Sequence, residues 1–306
     1  MFVELPGRPG YSGRPPRVVG PMVSDPRGTG RYQPVAAPNV LAVGPFLSHR
    51  LDRLVRMPAG CLGLEACRTD GSFAAAGAEF GLHRVSDLAR GVLPIDLDED
   101  GRLDLIAPGG VGPHRWLVRQ IDGTFRDDAS PAFAWPGEVQ SLAAGDFDDD
   151  GHEELLVALD GEVRLFRLPE GRLLDAGALA TLPGQGPLHV ADVNADGRLE
   201  VALGDRLFAA PSAGGCLRVA MTTRHGGPAY GASVRLKATV NGVPRTMLRV
   251  LDPGTGYGRT REPVAHFGLG RGATLESLTV LWPDGARRTL TGLTPDTVVV
   301  VPYAGE

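Results

Sequence analysis

Residues 146–154 read DFDDDGHEE, with carboxylates at positions 1, 3 and 5, glycine at 6 and a further acid at 9. A tightly coiled chain brings alternate side chains around one centre. The glycine permits the turn, and the position-7 carbonyl faces inward. Hard oxygen donors in that number suit Ca²⁺, which takes six to eight, better than Mg²⁺, which prefers water and strict octahedral geometry. The flanks, 141–145 (SLAAG) and 155–159 (LLVAL), are short apolar runs of strand length. An EF-hand would need a closing Glu at position 12 and flanking helices, and neither is predicted here.

The pattern recurs at 96–104 (DLDEDGRLD) and 192–200 (DVNADGRLE), spaced by 50 and 46 residues. The predicted ligands of loop one are Asp96, Asp98, Asp100, the Arg102 carbonyl and Asp104. Those of loop two are Asp146, Asp148, Asp150, the His152 carbonyl and Glu154. Loop three offers Asp192, Asn194, Asp196, the Arg198 carbonyl and Glu200, and its Asn makes it the weakest expected site. Eleven of the chain's 36 acids fall in these sets. Grouping them without a cation raises their pKa values and costs stability, so about three Ca²⁺ are expected. Three ions would move the net charge from -5 to +1. Closed cages leave no open coordination position, which argues against metal catalysis.

A period in the forties with short strands and glycine turns marks a β-propeller, one four-stranded blade per repeat. The register extends outward. Asp122-Gly123-Thr124-Phe125 begins 18 residues after Asp104, and Asp70-Gly71-Ser72-Phe73 begins 18 after Asp52. That match identifies 44–52 (GPFLSHRLD) as the same loop stripped of its acids. Residues 25–33 (DPRGTGRYQ) read as another decayed copy, a partial blade or closing strand, giving about four blades. Only 73–92 is ambiguous between helix and strand. The period stops near Gly214. Beyond it, alternating segments such as 233–240 (SVRLKATV) and 297–302 (TVVVVP) predict a β-sandwich-like module. The expected fold is all-β: a small or partial β-propeller over 1–214, then the β-sandwich-like module over 215–306.

The 306 residues include 43 Gly and 26 Pro, as a turn-rich β protein requires. No apolar run reaches membrane-span length. A net charge of -5 speaks against a nucleic-acid partner. Lys237 is the sole lysine among 31 basic residues, a codon bias and not a chemistry. The first twelve residues carry no secretion signal, so the chain reads as cytoplasmic as written. Cys61, Cys67 and Cys216 form no disulfide framework, although Cys61 and Cys67 would close a small loop in an oxidising compartment.

Catalytic signatures such as G-x-S-x-G, H-E-x-x-H, C-x-x-C and the P-loop are absent. The glycines of 254–258 and 268–272 are read as turns, because no strand-then-helix pattern surrounds them. His266, in a Gly-rich stretch near Tyr257 and Arg261, is the one catalytic candidate, a general base or ligand; the other reading is a histidine that pins a loop. Trp116, Trp135, Tyr230 and Tyr257 form either a stacking platform for sugars or a polyene, or packing.

The loops and their flanks resemble FG-GAP/VCBS repeats, as in integrin-type propellers. The C-terminal part resembles the ASPIC/UnbV domain through Tyr230-Gly231-Ala232-Ser233-Val234, Gly254-Thr255-Gly256-Tyr257-Gly258, His266-Phe267-Gly268-Leu269-Gly270 and the VLWPDG of 280–285. The two together cover most of the chain and are similar to the cartilage acidic protein 1-like and bacterial UnbV family. The resemblance implies Ca²⁺ binding and, for animal members, extracellular matrix or cell-surface interaction; it implies no established reaction. The function expected is a calcium-binding interaction or scaffold protein for an unknown protein, glycan or small-molecule ligand. The alternative is an accessory protein or enzyme of enediyne-type polyketide biosynthesis, as one bacterial branch suggests, with a pocket between the modules around His266 and Tyr257. The resemblance favours an extracellular location.

Overall fold

The computed structural model describes residues 3–4, 40–44, 52–56, 62–70, 72–75, 80–82, 92–109, 114–128, 138–159, 161–167, 174–181, 187–212, 214–251 and 259–304. Strands and turns make up these residues, and no α-helix occurs among them. No helix there is long and apolar enough to cross a membrane.

Strand β1 (Val3–Glu4) comes first in the chain. Sheet one is the antiparallel meander β2 (Val40–Gly44), β3 (Asp52–Arg56), β4 (Leu62–Cys67) and β5 (Phe73–Ala75). Sheet two repeats it with β6 (Leu93–Ile95), β7 (Asp104–Ala107), β8 (Arg115–Arg119) and β9 (Phe125–Asp128). Sheet three comprises β10 (Ser141–Gly145), β11 (Glu154–Leu159), β12 (Glu162–Arg167) and β13 (Leu174–Thr181). Sheet four has β14 (Leu188–Ala191), β15 (Glu200–Leu203) and β16 (Arg206–Ala209), and β1 supplies its outer strand by pairing Glu4 with Phe208.

The predicted register holds where it is described. Asp70 accepts from Ser72 N–H at 2.8 Å and Asp122 from Thr124 N–H at 2.9 Å, the same side-chain turn in sheets one and two. The 44–52 copy lies between β2 and β3, whose ends pair Gly44 with Asp52. The 25–33 copy lies outside the described residues.

The sheets stack face to face. Along β11, which is buried throughout, Leu155, Val157 and Leu159 join a core with Leu93, Ile106 and Trp116 of sheet two. Leu156 and Ala158 turn the other way, to Leu188, Val190 and Val201 of sheet four. Strand β7 does the same, sending Leu105 and Ala107 to Leu62 and Leu64 of sheet one. A middle strand buried on both faces must read as a continuous apolar run, which is why LLVAL and DLIA lack alternation. Innermost strands meet in succession, β2 with β6, β6 with β10, β10 with β14. This all-β row of small sheets is the plan of a partial propeller.

The C-terminal strands form two further sheets: β17 (Gly215–Met221) lies between β21 (Ala265–Gly270) and β24 (Thr297–Val301), and β18 (Ser233–Val240) between β19 (Val243–Val250) and β22 (Thr274–Leu281), which carries β23 (Arg287–Leu290). Their facing sides share one core around Phe267, Leu236, Val280 and Trp282. One short strand leaves this module. Strand β20 (Arg259–Arg261) runs parallel to β14 on the inner edge of sheet four.

The structure corrects the reading of 268–270 as a turn. These glycines belong to β21, which pairs with β17. A Cβ at Gly268 would meet the Asp149 Cα at 2.5 Å, so the glycine is demanded by a close approach of backbone to loop two.

Candidate metal centre

Loops one, two and three join the first to the second strand of sheets two, three and four, and all three meet the C-terminal module. Each position-1 aspartate organises its own loop. Asp146 accepts the N–H groups of Asp150 (3.0 Å) and Gly151 (2.9 Å). Asp192 accepts those of Asp196 (3.1 Å) and Gly197 (2.9 Å). Asp96 accepts that of Gly101. The position-6 glycines adopt φ of 85°, 100° and 93°, as the turn requires.

Carboxylate oxygens of Asp96, Asp98 and Asp100 lie within 4.8 Å of one another, and so do those of Asp146, Asp148 and Glu154. Burial has pushed Asp96, Asp100, Asp146, Asp148 and Glu154 up. Asp96 rises to about 8, chiefly by desolvation, with Arg249 opposing and Asp100, Asp104 and Asp98 reinforcing. Glu154 rises to about 8 for the same reason, helped by Asp148, and Asp146 lies well above its ordinary value. Asp148 Oδ1 is buried without a hydrogen-bond partner. Both sets are oxygen-rich and crowd like charges, and the loop-two set adds an oxygen without a partner, so the two fit a hard divalent cation.

Other predicted ligands are placed differently. Glu154 and Glu200 reach back to the N–H of Phe147 (3.0 Å) and Val193 (2.8 Å). Asp104, one methylene shorter, instead accepts Arg119 N–H (2.8 Å) and Trp116 Nε1–H (3.0 Å), with its carboxyl raised to about 7 by burial. It lies outside the loop-one set. Asp150 accepts His152 N–H at 2.9 Å and is outside the loop-two set. The side chains of Arg102 and His152 pair with Asp100 and Glu99. In loop three, Asn194 directs its amide N–H to Asp196 (3.0 Å) and Glu200 (3.1 Å), Arg198 N–H reaches Asp196 (2.9 Å), and no trio of carboxylates gathers there among the described residues.

Position 4 escaped the sequence reading. Glu99, Asp149 and Ala195 adopt φ of 58°, 56° and 62°, a left-handed turn. There the acids of loops one and two meet the C-terminal module. Glu99 pairs with Arg245 at 3.0 Å, and Asp149 Oδ1 lies 2.8 Å from His266 Nε2. The module also sends Arg235 to the Gly101 carbonyl (2.7 Å), Gly270 N–H to the Asp149 carbonyl (2.7 Å) and Cys216 Sγ to the Gly197 carbonyl (3.1 Å). Arg249 and Arg261 share Glu153 at 3.4 and 3.2 Å. An acid at a position the cage does not need was the available signal.

His266 is 1% exposed and held against Asp149, so its ring faces protein and not a substrate pocket. A cavity of about 30 Å³ does lie between the modules, lined by Asp96, Glu153, Arg249 and Arg261, and it is water-sized. Trp116 is core, Tyr230 is 41% exposed, and Trp135, Tyr257 and the Cys61 and Cys67 side chains lie outside the described residues. Cys216 is a buried free thiol pushed up to about 12 by desolvation.

The FG-GAP-like repeat model matches residues 96–157 and 146–203, and the ASPIC and UnbV model matches 222–306. Cartilage acidic protein 1 from Homo sapiens is 34% identical over 244 residues, covering 71% of this chain and 36% of that protein. The proteins of the same name from Mus musculus and Xenopus tropicalis are 35% and 34% identical over similar lengths. The match spans little more than a third of those relatives' own length. Residues 96–203 are therefore FG-GAP-like repeats and 222–306 an ASPIC and UnbV domain by their matching models, and the chain is similar over 244 residues to cartilage acidic protein 1.

Proposed function

We propose that this chain is a calcium-binding interaction protein whose acidic loops fix the face on which its C-terminal module docks. The observation that carries the reading is the pair of carboxylate trios, Asp96/Asp98/Asp100 and Asp146/Asp148/Glu154, each anchored on a buried position-1 aspartate. Bound there, Ca²⁺ would supply positive charge and accept the carboxylate and carbonyl oxygens as ligands. The chain's own residues do the rest. Asp96 and Asp146 order their loops through backbone N–H groups, while Glu99, Asp149 and Glu153, adjacent to the ligands, hold Arg245, His266 and Arg249 of the module. A stiffened loop thus presents its docking acids at fixed positions. The partner is a protein, glycan or small molecule, met where calcium is plentiful enough to fill the sites.

Thermal melting of the purified chain in EGTA, then across a Ca²⁺ titration with metal content by mass spectrometry, tests the reading. A melting temperature that climbs with calcium, together with bound metal, supports it. No bound metal and no shift would reduce the loops to plain turns.

A further inference from the structure

We infer that Arg218 is the resident cation of loop three, so that the chain takes up two Ca²⁺ and not three; this rests on the calcium reading of loops one and two. Arg218 projects from β17 of the C-terminal module, with its side chain 11% exposed. One amino group pairs with Asp192 Oδ2 at 2.8 Å and the other with Glu262 Oε2 at 2.6 Å. Glu262 Oε1 in turn accepts the N–H of Asp192 at 3.2 Å. Asp192 is the position-1 residue on which the cage would be built, and its side chain is fully buried. Its two oxygens already serve Asp196 N–H, Gly197 N–H and the guanidinium.

Loop two supplies the contrast. There the approaching arginine, Arg167, comes from the same repeat, is 41% exposed and contacts Asp148 and Glu154 at 2.5 and 3.6 Å. Solvent reaches it, so a divalent ion can displace it at little cost. Arg218 cannot swing away, because β21 and β24 flank its strand and Glu262 holds its far side. The remaining ligands of loop three have adapted. Asn194 Oδ1 accepts Asp196 N–H at 2.8 Å while its amide group donates to Asp196 and Glu200, so with Asp192 held by the guanidinium these ligands are tied to one another rather than turned to a metal. Residues 193–196 are all exposed, whereas Asp146, Phe147, Asp149 and Gly151 of loop two are buried. A monovalent guanidinium with two fixed carboxylate partners therefore stands where the repeat pattern leads one to expect calcium.

Calcium stoichiometry of the full chain, by titration calorimetry and by metal analysis after gel filtration, is the test. The expected value is two per chain. Asp96→Asn and Asp146→Asn each lower it by one, Asp192→Asn leaves it unchanged, and Arg218→Gln raises it to three by freeing Asp192. Three ions in the unmodified chain, one of them lost in Asp192→Asn, overturn the inference and leave the calcium reading standing. An Arg218→Gln protein that folds yet still binds two also overturns it. No uptake at all overturns both. Should Arg218→Gln fail to fold, the Asp192→Asn comparison decides alone.

Discussion

His266 Nε2 lies 2.8 Å from Asp149 Oδ1, a contact between residues 117 positions apart in which both side chains are at most 2% exposed. The aspartate sits in the middle of an acidic loop yet turns its carboxylate away from the cage, through a left-handed backbone with φ of 56°. One short segment thus carries two acid sets placed for separate tasks, one gathered within the loop and one facing outward to the neighbouring module.

Separate tasks predict separable losses. Asp149→Ala leaves the His266 ring buried without its partner and destabilises the protein by roughly 1–3 kcal/mol, the cost of an orphaned buried polar group. Calcium stoichiometry is unchanged. A double-mutant cycle with His266→Ala shows strong coupling between the two sites. A parallel fall in bound calcium would mean that Asp149 is a ligand.

Gly268→Ala is more damaging. Its added carbon lands 2.5 Å from the Asp149 Cα, which is backbone and cannot rotate aside. Module and loop must separate, so we expect at least the 1–3 kcal/mol of an overpacked core and greater protease sensitivity in 259–270. Gly292→Ala is the control for adding a methyl group, since nothing lies within 4 Å of that position, although its φ of 69° adds a small strain of its own.

Acidity reports on the cages. Asp96 and Glu154 titrate near 8 and Asp104 near 7, against ordinary values of 3.8 and 4.5. Between about pH 4 and pH 8 the native chain keeps protons that the unfolded chain has released. Stability in EGTA therefore falls as pH rises through that window, by up to about 1.4 kcal/mol per carboxyl per pH unit. Calcium competes for the same oxygens, so the melting-temperature gain from saturating calcium grows from pH 5 to pH 8. A gain that shrinks over that range would refute buried carboxylates as the site.

The two closing acids differ in role. Glu154→Gln weakens calcium uptake at loop two, because its carboxylate belongs to that trio. Asp104→Asn leaves stoichiometry intact and instead loosens β8, by about 1 kcal/mol per weakened hydrogen bond, since its oxygens serve Arg119 N–H and Trp116 Nε1–H. Metal analysis of both variants separates them.

What the sequence reveals here follows from what repeats. Three acidic nonapeptides and a recurring D-G-[ST]-F turn announced the sheet topology, because each repeat must solve the same burial problem. The alternation of β18 is equally plain, with Val234, Leu236, Ala238 and Val240 inward. Contacts made only once left no such trace. Nothing in the three residues of β20 shows that they will align with β14, and Arg218 reads as an ordinary strand arginine until Asp192 and Glu262 are seen around it. Gly268 misled because glycine marks both turns and close approaches. Asp104 matched the ligand pattern, but the pattern ignores side-chain length.

Sheet four borrows its margins from both directions. Its outer strand comes from residues 3–4 and its inner companion from residues 259–261, while its own strands span 188–209. On the ribosome this blade must wait, half built, until some fifty more residues beyond Ala209 have been synthesised, and it then closes by recruiting segments from far apart in time. Pairings of such long range are slow to find. Cutting the chain at the boundary between the modules would strip β20 from this sheet, so the two modules are better regarded as a single cooperative unit than as parts to be expressed alone.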